Sequence, residues 1–289
     1  MAGWYERARA DPARVVLADL GDRRADNAAA FLRDEGLAVI VEPVVDPEDE
    51  ACEPAAAVGL DPADPVVAAT LLVRAGRADA AVAGATPPTA AVLRAGRRGL
   101  GGAPGVPAVR SGVLRVLPAG RPVTFGDCGV VPDPDAEQLA SIAASSASTH
   151  AALTGDEPRV AMLSFSTKGS AEHPRVDKVR AATQLLHESE PDLVVDGELQ
   201  FDAAWDAEVA EVKAPESAVA GRANVFVFPD LDSGNIAYKV TERLGGARAY
   251  GPLLQGLDGV LHDLSRGCSP SDMVDVAVIA GLMAGSSRG

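Results

Sequence analysis

The sequence predicts an α/β protein with mostly parallel sheets, and two observations carry that expectation. Short apolar runs rich in Val, Ile and Leu alternate along the chain with segments of helical period, the pattern of strands buried on both faces by crossover helices. A chain of 289 residues, 47% of them hydrophobic, can also bury one large core or two modest ones.

The elements follow in order. Val15–Leu20 reads as the first strand and Arg24–Asp34 as the helix after it; Leu37–Val44 is the second strand. A helix over Asp64–Gly76, a strand over Ala78–Gly84 and a helix over Thr89–Arg98 come next. The Gly- and Pro-rich stretch Gly99–Pro107 then breaks the rhythm, which predicts a domain boundary near residue 105. Val113–Leu117 and Val123–Asp127 are strands joined by a hairpin loop, Pro118–Pro122. Beyond them lie the helix Ala136–Ser148, the strand Val160–Ser164, the helix Val176–Glu188, the strands Leu193–Asp196 and Val225–Pro229, and the helix Gly234–Leu244. No internal repeat, heptad pattern or low-complexity tract occurs.

Composition excludes several functions. The formal net charge is −15, from 41 acidic and 26 basic side chains, and no block of Lys and Arg offers a track for a nucleic-acid backbone. No run approaches the ~18 apolar residues of a membrane span, and Met1–Arg9 lacks the form of a secretory signal, so a cytoplasmic location without membrane contact is expected. Cys52, Cys128 and Cys268 have neither disulfide nor zinc spacing, and His150, His173, His187 and His262 form no ligand set and are expected at surface or capping positions. Asp196 and Glu198 could suggest a metal, but no histidine or cysteine joins them; no metal is expected. GxGxxG and GxxxxGK[ST] loops are also missing.

The segment Asp263-Leu264-Ser265-Arg266-Gly267-Cys268-Ser269-Pro270-Ser271-Asp272 carries the most chemistry. Ser269 is an N-cap, Pro270 suits the first helical turn, and Asp272 stands where the acidic member of a capping box belongs; Met273, Val276, Ala277 and Ala280 continue an apolar face. An anion docking at Ser265–Cys268 would meet helix N–H groups, a hydroxyl and a guanidinium together, and phosphate is the natural candidate. The bland reading is that Asp272 only caps and Arg266 is a solvated surface residue.

From Val160 to Asp272 a series of words resembles the phosphate acetyltransferase and phosphate butyryltransferase family: Met162–Ser170, Asp196–Ala204, Lys213–Pro215, Val219–Val225, Phe228–Leu231, Gly234–Lys239, Gly251–Gly256 and Asp263–Ser269. The resemblance implies reversible acyl exchange, acetyl first, between CoA and inorganic phosphate, by direct attack in a ternary complex without a metal or tightly bound cofactor. It implies two α/β/α domains, residues 1–105 with 257–289 and residues 106–256, flanking an interdomain cleft in an isocitrate/isopropylmalate dehydrogenase-like architecture, and a homodimer.

The same resemblance assigns roles. Asp272 falls on the family's thiol base, Arg266 on its phosphate-holding arginine, and Ser265 on the serine at the reacting centre. Arg94 falls on a second substrate arginine, its bland alternative being a solvent-facing place beside Arg97 and Arg98. Ser166, Thr167, Lys168 and Asn235 are expected to line the ligand site, with structural roles as the alternative. Cys268 belongs to the same loop and reads as packing beneath it, since its near histidine, His262, has no evident orienting partner. Departures lie in the N-terminal half, which is shorter than usual for the family. A CoA-site arginine lacks a counterpart in Cys52–Val58, the turn before Arg94 reads Thr86-Pro87-Pro88, and Ala95 replaces a proline. Two alternatives therefore stay open: an acyltransferase for a different acyl group, and a non-catalytic module that binds acetyl-CoA.

Overall fold

The computed structural model describes residues 2–46, 58–103, 110–117 and 120–286. Residues 52–57, 104–107 and 118–119, parts of the arginine-lacking stretch, the Gly/Pro interruption and the hairpin loop, lie outside them. The chain forms two compact units, Met1–Val109 with Tyr250–Gly289 and Arg110–Ala249, where the sequence suggested divisions after residues 105 and 256.

The first unit holds α1 (Ala2–Ala10), β1 (Ala13–Leu17), α2 (Arg23–Asp34), β2 (Ala38–Val41), α3 (Pro65–Arg74), β3 (Ala80–Ala83) and α4 (Thr89–Ala95) with a π-helical continuation Gly96–Leu100. The second holds β4 (Arg110–Val116), β5 (Pro122–Gly126), α5 (Ala136–Thr154), β6 (Arg159–Leu163), α6 (Pro174–Ser189), β7 (Val194–Leu199), α7 (Phe201–Trp205), α8 (Ala207–Lys213), β8 (Val225–Val227) and α9 (Leu231–Arg243). The chain returns to the first unit along β9 (Arg248–Gln255), followed by β10 (Val260–Asp263) and α10 (Pro270–Ser286). The sheet of the first unit is four-stranded, order β10-β3-β1-β2, and its pairs are parallel. The other has order β7-β6-β8-β5-β4-β9; β6 pairs in parallel with β7 and β8, β5 with β8, and β4 meets β5 antiparallel as the hairpin pattern requires. Mixed α/β layering with mostly parallel sheets is thus what the alternating runs encode.

Local chemistry explains the elements. Asp22, Asp64, Asp135, Asp206 and Asp230 cap helices by accepting from backbone N–H groups of the first turn, and Pro65 opens α3. In the first unit the central strand β3 is buried throughout and mostly alanine, so helices approach it closely. Gly281 on α10 serves the same end, since a Cβ there would stand 2.8 Å from the Ala13 methyl. In the second unit Phe125, Phe226 and Phe228 pack edge-on and tilted within one core cluster.

Several expectations need correction. β7 extends to Leu199 where Asp196 was expected to end it, because Gly197 and Leu199 continue the edge pairing with β6 across a register shift that leaves Glu198 unpaired in the ladder. The helix read through Arg98 changes period after Ala95. α1, α7, α8, β9 and β10 were not anticipated: β9 contains Gly251-Pro252, which reads as a turn, and α7 and α8 are single short segments. His150 and His262 are fully buried, not at the surface, and desolvation by burial lowers each imidazole to a pKa of about 4.

Candidate functional site

In the first unit the segments that carry the sequence-predicted residues leave one edge of the sheet. The chain goes from β1 to β2 on one side and crosses to β3 on the other, so the C-terminal ends of β1 and β3 form a topological switch point, where open α/β sheets bind ligands. Three segments leave that edge: Ala18–Asp22 after β1, Gly84–Pro88 after β3, and Leu264–Ser269 after β10.

The last of these carries Ser265, Arg266 and Gly267 in exposed positions before α10 begins. The capping box is present: the Ser269 N–H and hydroxyl both donate to Asp272 Oδ2 at 2.8 Å, and the Asp272 N–H donates to Ser269 Oγ at 3.2 Å. Asp272 is exposed, and its Oδ1 makes no hydrogen bond among the described residues. Cys268 is buried and its N–H closes a turn onto the Ser265 carbonyl at 2.9 Å. Burial pushes its thiol above the ordinary range, against the opposing pull of Arg24, so packing under the loop is what its surroundings favour over nucleophilic chemistry. The Arg266 guanidinium has no protein partner among the described residues, and neither has that of Arg94 on α4; Arg94 shares exposure with Arg97 and Arg98.

Three residues that sequence reasoning did not single out hold this edge together. Arg24 donates Nη1 to the carbonyls of Arg266 at 2.7 Å and Cys268 at 3.4 Å and Nη2 to that of Ala85 at 2.9 Å, while pairing with Asp22 at 3.0 Å. Asp19 accepts from the Ala85 and Thr86 N–H groups at 3.1 and 2.9 Å and from the Thr86 hydroxyl at 2.6 Å. Asp263 accepts from the Thr89 hydroxyl at 2.7 Å. The signal for Asp263 was present, since it opens the Asp-Leu-Ser-Arg word; nothing in the local sequence marks Arg24.

In the second unit Ser166, Thr167 and Lys168 form a loop after β6, and Asn235 stands on α9. Ser166 is fully buried: its hydroxyl donates to Glu198 Oε1 at 2.8 Å and accepts from the Ala171 N–H at 3.1 Å. Thr167, also buried, donates to Gln200 Oε1 and accepts from the Gln200 N–H. These two hydroxyls are thus occupied inside the loop, as the structural alternative for Ser166 and Thr167 would have them. Lys168 is exposed at φ 47, an unusual conformation for a side-chain-bearing residue, and its ammonium pairs with Asp196. Asn235 donates to the Cys128 carbonyl at 3.0 Å and accepts from Lys239 at 2.6 Å.

The organiser of that loop is Glu198, buried in β7. It receives Arg180 Nε and Nη2 at 2.8 and 3.0 Å, the Gly169 N–H at 2.9 Å and the Ser166 hydroxyl. Burial raises its carboxyl, but these four donors outweigh it and hold the pKa down at about 2. Asp196 and Glu198, weighed above as a metal pair, are instead partners of Lys168 and Arg180, and the described residues contain no cluster of three or more metal-ligating side chains.

Comparison with known proteins agrees with the words quoted from the sequence. Residues 48–281 match the family described as "Phosphate acetyl/butaryl transferase". A phosphate acetyltransferase from Thermoanaerobacterium thermosaccharolyticum is 51% identical over 219 residues, which cover 74% of this chain and 67% of the relative. Among solved structures, a phosphotransacetylase from Streptococcus pyogenes superposes with a TM-score of 0.91 at 36% identity, covering 99% of this chain and 98% of the other. One from Staphylococcus aureus gives 0.86 at 34% identity, covering 97% of each chain. With most of its length matched by the family and a relative above half identity, the chain belongs to the phosphate acetyl/butaryl transferase family of enzymes.

Proposed function

We propose that the chain transfers an acyl group, acetyl in the first instance, between CoA and inorganic phosphate. The observation that carries the reading is the Ser265–Asp272 segment: an exposed guanidinium without a protein partner among the described residues, a hydroxyl and a carboxylate within eight consecutive residues around the start of α10. Arg266 holds two phosphate oxygens with its planar fork. In the direction of acyl-CoA synthesis, Asp272 Oδ1 takes the proton of the CoA thiol and the sulfur attacks the acyl carbonyl. Donors at Ser265 steady the tetrahedral oxyanion, and its collapse breaks the carbon–oxygen bond to phosphate, which leaves as the anion. The reverse reaction returns the proton from Asp272 to the sulfur. No residue is acylated, which fits the buried, high-pKa thiol of Cys268.

Arg94 is the second anion contact in this reading. Lys168 and Asn235 contribute substrate contacts from the second unit, and Ser166, Thr167 and Cys268 act by holding their loops. The isocitrate/isopropylmalate dehydrogenase-like architecture, residence in the cytoplasm, and the lack of any tightly bound cofactor belong to the same proposal. A homodimer does too: Ile236, Val240 and Leu244 form an exposed apolar stripe at four-residue spacing along and just beyond α9.

A thiol-release assay with phosphate and acyl-CoAs from acetyl to butyryl and branched chains tests the reaction. Phosphate-dependent turnover, lost in Asp272→Asn, supports it and names the preferred chain. No turnover with any of them, acetyl-CoA still binding, would favour the non-catalytic module. Arg266→Ala is expected to raise the phosphate KM at least tenfold with a smaller change for CoA, and an unchanged phosphate KM would remove Arg266 from its role.

A further inference from the structure

Asp263 is an uncommon carboxylate. It is 2% exposed at the end of β10, two residues before Ser265. One oxygen, Oδ2, accepts from the Thr89 hydroxyl at 2.7 Å; the other, Oδ1, is buried and receives no aligned hydrogen bond, since the nearby Leu264 N–H is directed to the Ala83 carbonyl. A buried carboxylate oxygen left unpaired is costly and calls for a reason.

Its surroundings supply one. Oδ1 lies where only glycine leaves room, since a Cβ on Gly84 would come within 2.3 Å of it and within 2.6 Å of the Leu264 nitrogen. Gly84, at φ 113, begins the turn that ends at Thr89, and Thr89 is the first residue of α4, the helix that carries Arg94. The Leu264 N–H meanwhile extends the ladder onto the Ala83 carbonyl at 2.7 Å. The carboxylate therefore sits between two segments that both leave the same sheet edge, one leading to Arg266 and the other to Arg94. Asp19 grips the same turn from β1 through Ala85 and Thr86, so the turn is held from both neighbouring strands.

We propose that Asp263 is a positioning residue for the transfer: through the Thr89 hydroxyl it pins the Gly84–Thr89 turn to the strand end from which Ser265 and Arg266 issue. Its task is to keep the two arginine-bearing segments at a constant spacing, and it touches neither substrate. The inference rests on the acyl-transfer reading of the same edge. Misplacement of a positioning group by about 1 Å can cost up to a hundredfold in rate, so a pin worth one charge-assisted hydrogen bond is expected to matter by roughly tenfold.

The test is a series in the full chain: Thr89→Val removes the donor at nearly constant shape, Thr89→Ser restores it, and Asp263→Asn keeps an acceptor in place. With acetyl-CoA and inorganic phosphate, Thr89→Val is expected to lower kcat/KM about tenfold, chiefly in kcat, while Thr89→Ser and Asp263→Asn stay within about threefold of the parent. Thermal midpoints measured in parallel separate positioning from stability, because the loss in Thr89→Val is expected to persist at temperatures where all four proteins are folded. Parental kcat/KM in Thr89→Val, or equal losses in Thr89→Val and Thr89→Ser, would overturn the proposal. A parent protein without phosphate-dependent turnover would instead sink the acyl-transfer reading, and this inference with it.

Discussion

Asp263 should also make the first unit less stable at neutral pH than it would be without the charge. Burial raises its pKa from the ordinary 3.8 to about 6, against the Thr89 bond and the pull of the nearby Leu264 N–H, with a further rise from the charge of Asp19 just beyond β1. Between those two values the folded state binds more protons than the unfolded chain, so stability falls as pH rises through that window. The contribution is complete below pH 4 and lost above about 6, the reverse of a salt-bridged carboxylate. A gap of roughly two pH units corresponds to about 3 kcal/mol. Asp263→Asn cannot ionise, so its stability relative to the parent should improve by about that amount between pH 4 and pH 8. Urea unfolding followed by Trp4 fluorescence reads the first unit, provided that both proteins also carry Trp205→Phe, because Trp205 belongs to the second unit. The buried His262 titrates in the same range with the opposite sign, losing stability as pH falls from 6.5 towards 4, but it is common to both proteins and cancels in the difference. A difference that does not change with pH would refute the reasoning, since it would mean that Asp263 ionises in the folded chain as readily as in water.

Three other outcomes can be checked more briefly. Glu198→Gln removes the charge that receives Arg180, and unfolding followed by Trp205 should show a loss of about 1–3 kcal/mol at pH 7. That difference should shrink as pH falls through 4.5 towards 2, where Glu198 itself becomes protonated. Gly99→Ala places a Cβ 2.2 Å from the buried Thr70 hydroxyl oxygen and 2.9 Å from the Thr70 Cβ, and should cost about 1–3 kcal/mol by overpacking in the same denaturation assay; adding Thr70→Ala removes the closer contact but not the second, and should recover only part of it. If the exposed stripe on α9 mediates self-association, Val240→Glu should convert a dimer to a monomer in light scattering after gel filtration, and an unaltered mass would exclude that face.

What the sequence made legible was local in origin. Ser269, Pro270 and Asp272 predict a capped helix because the cap is a matter of three-residue spacing, and the reciprocal bonds are there. The alternation of Val-rich runs and helical periods gave parallel strands for the same reason, whereas Gly251-Pro252 disguised β9 as a turn. The residues that fix the loop answer to no local rule: Arg24 reaches the Arg266 carbonyl across 242 residues, and Thr89 reaches Asp263 across 174. Only the order β10-β3-β1 brings those partners together. The same limit explains Ser166. Its place after a strand suggested a ligand contact, but Glu198, 32 residues on, takes its hydroxyl.

That distribution of partners also bears on how an acidic chain could present the proposed anion site. With a net charge of −15, a general excess of base is not available, and the C-terminal edge of the first sheet is itself rich in carboxylates. Those carboxylates are turned onto protein donors: Asp19 accepts three hydrogen bonds from the Ala85–Thr86 turn, Asp22 pairs with Arg24, and Asp272 spends Oδ2 on Ser269. Asp263 is withdrawn from solvent, and its raised pKa reduces the negative charge that it carries near pH 6. Arg266 and Arg94 are left exposed, without a protein carboxylate among the described residues to neutralise them. On the proposed reading, preference for an anion at this edge comes from where the acidic groups have found their partners, and it should be lost locally when one is set free. Thr86→Val, which takes a donor from Asp19, is expected to raise the phosphate KM while leaving the thermal midpoint of the second unit unchanged, and an unaltered KM would show that the field at Arg266 does not depend on how Asp19 is occupied.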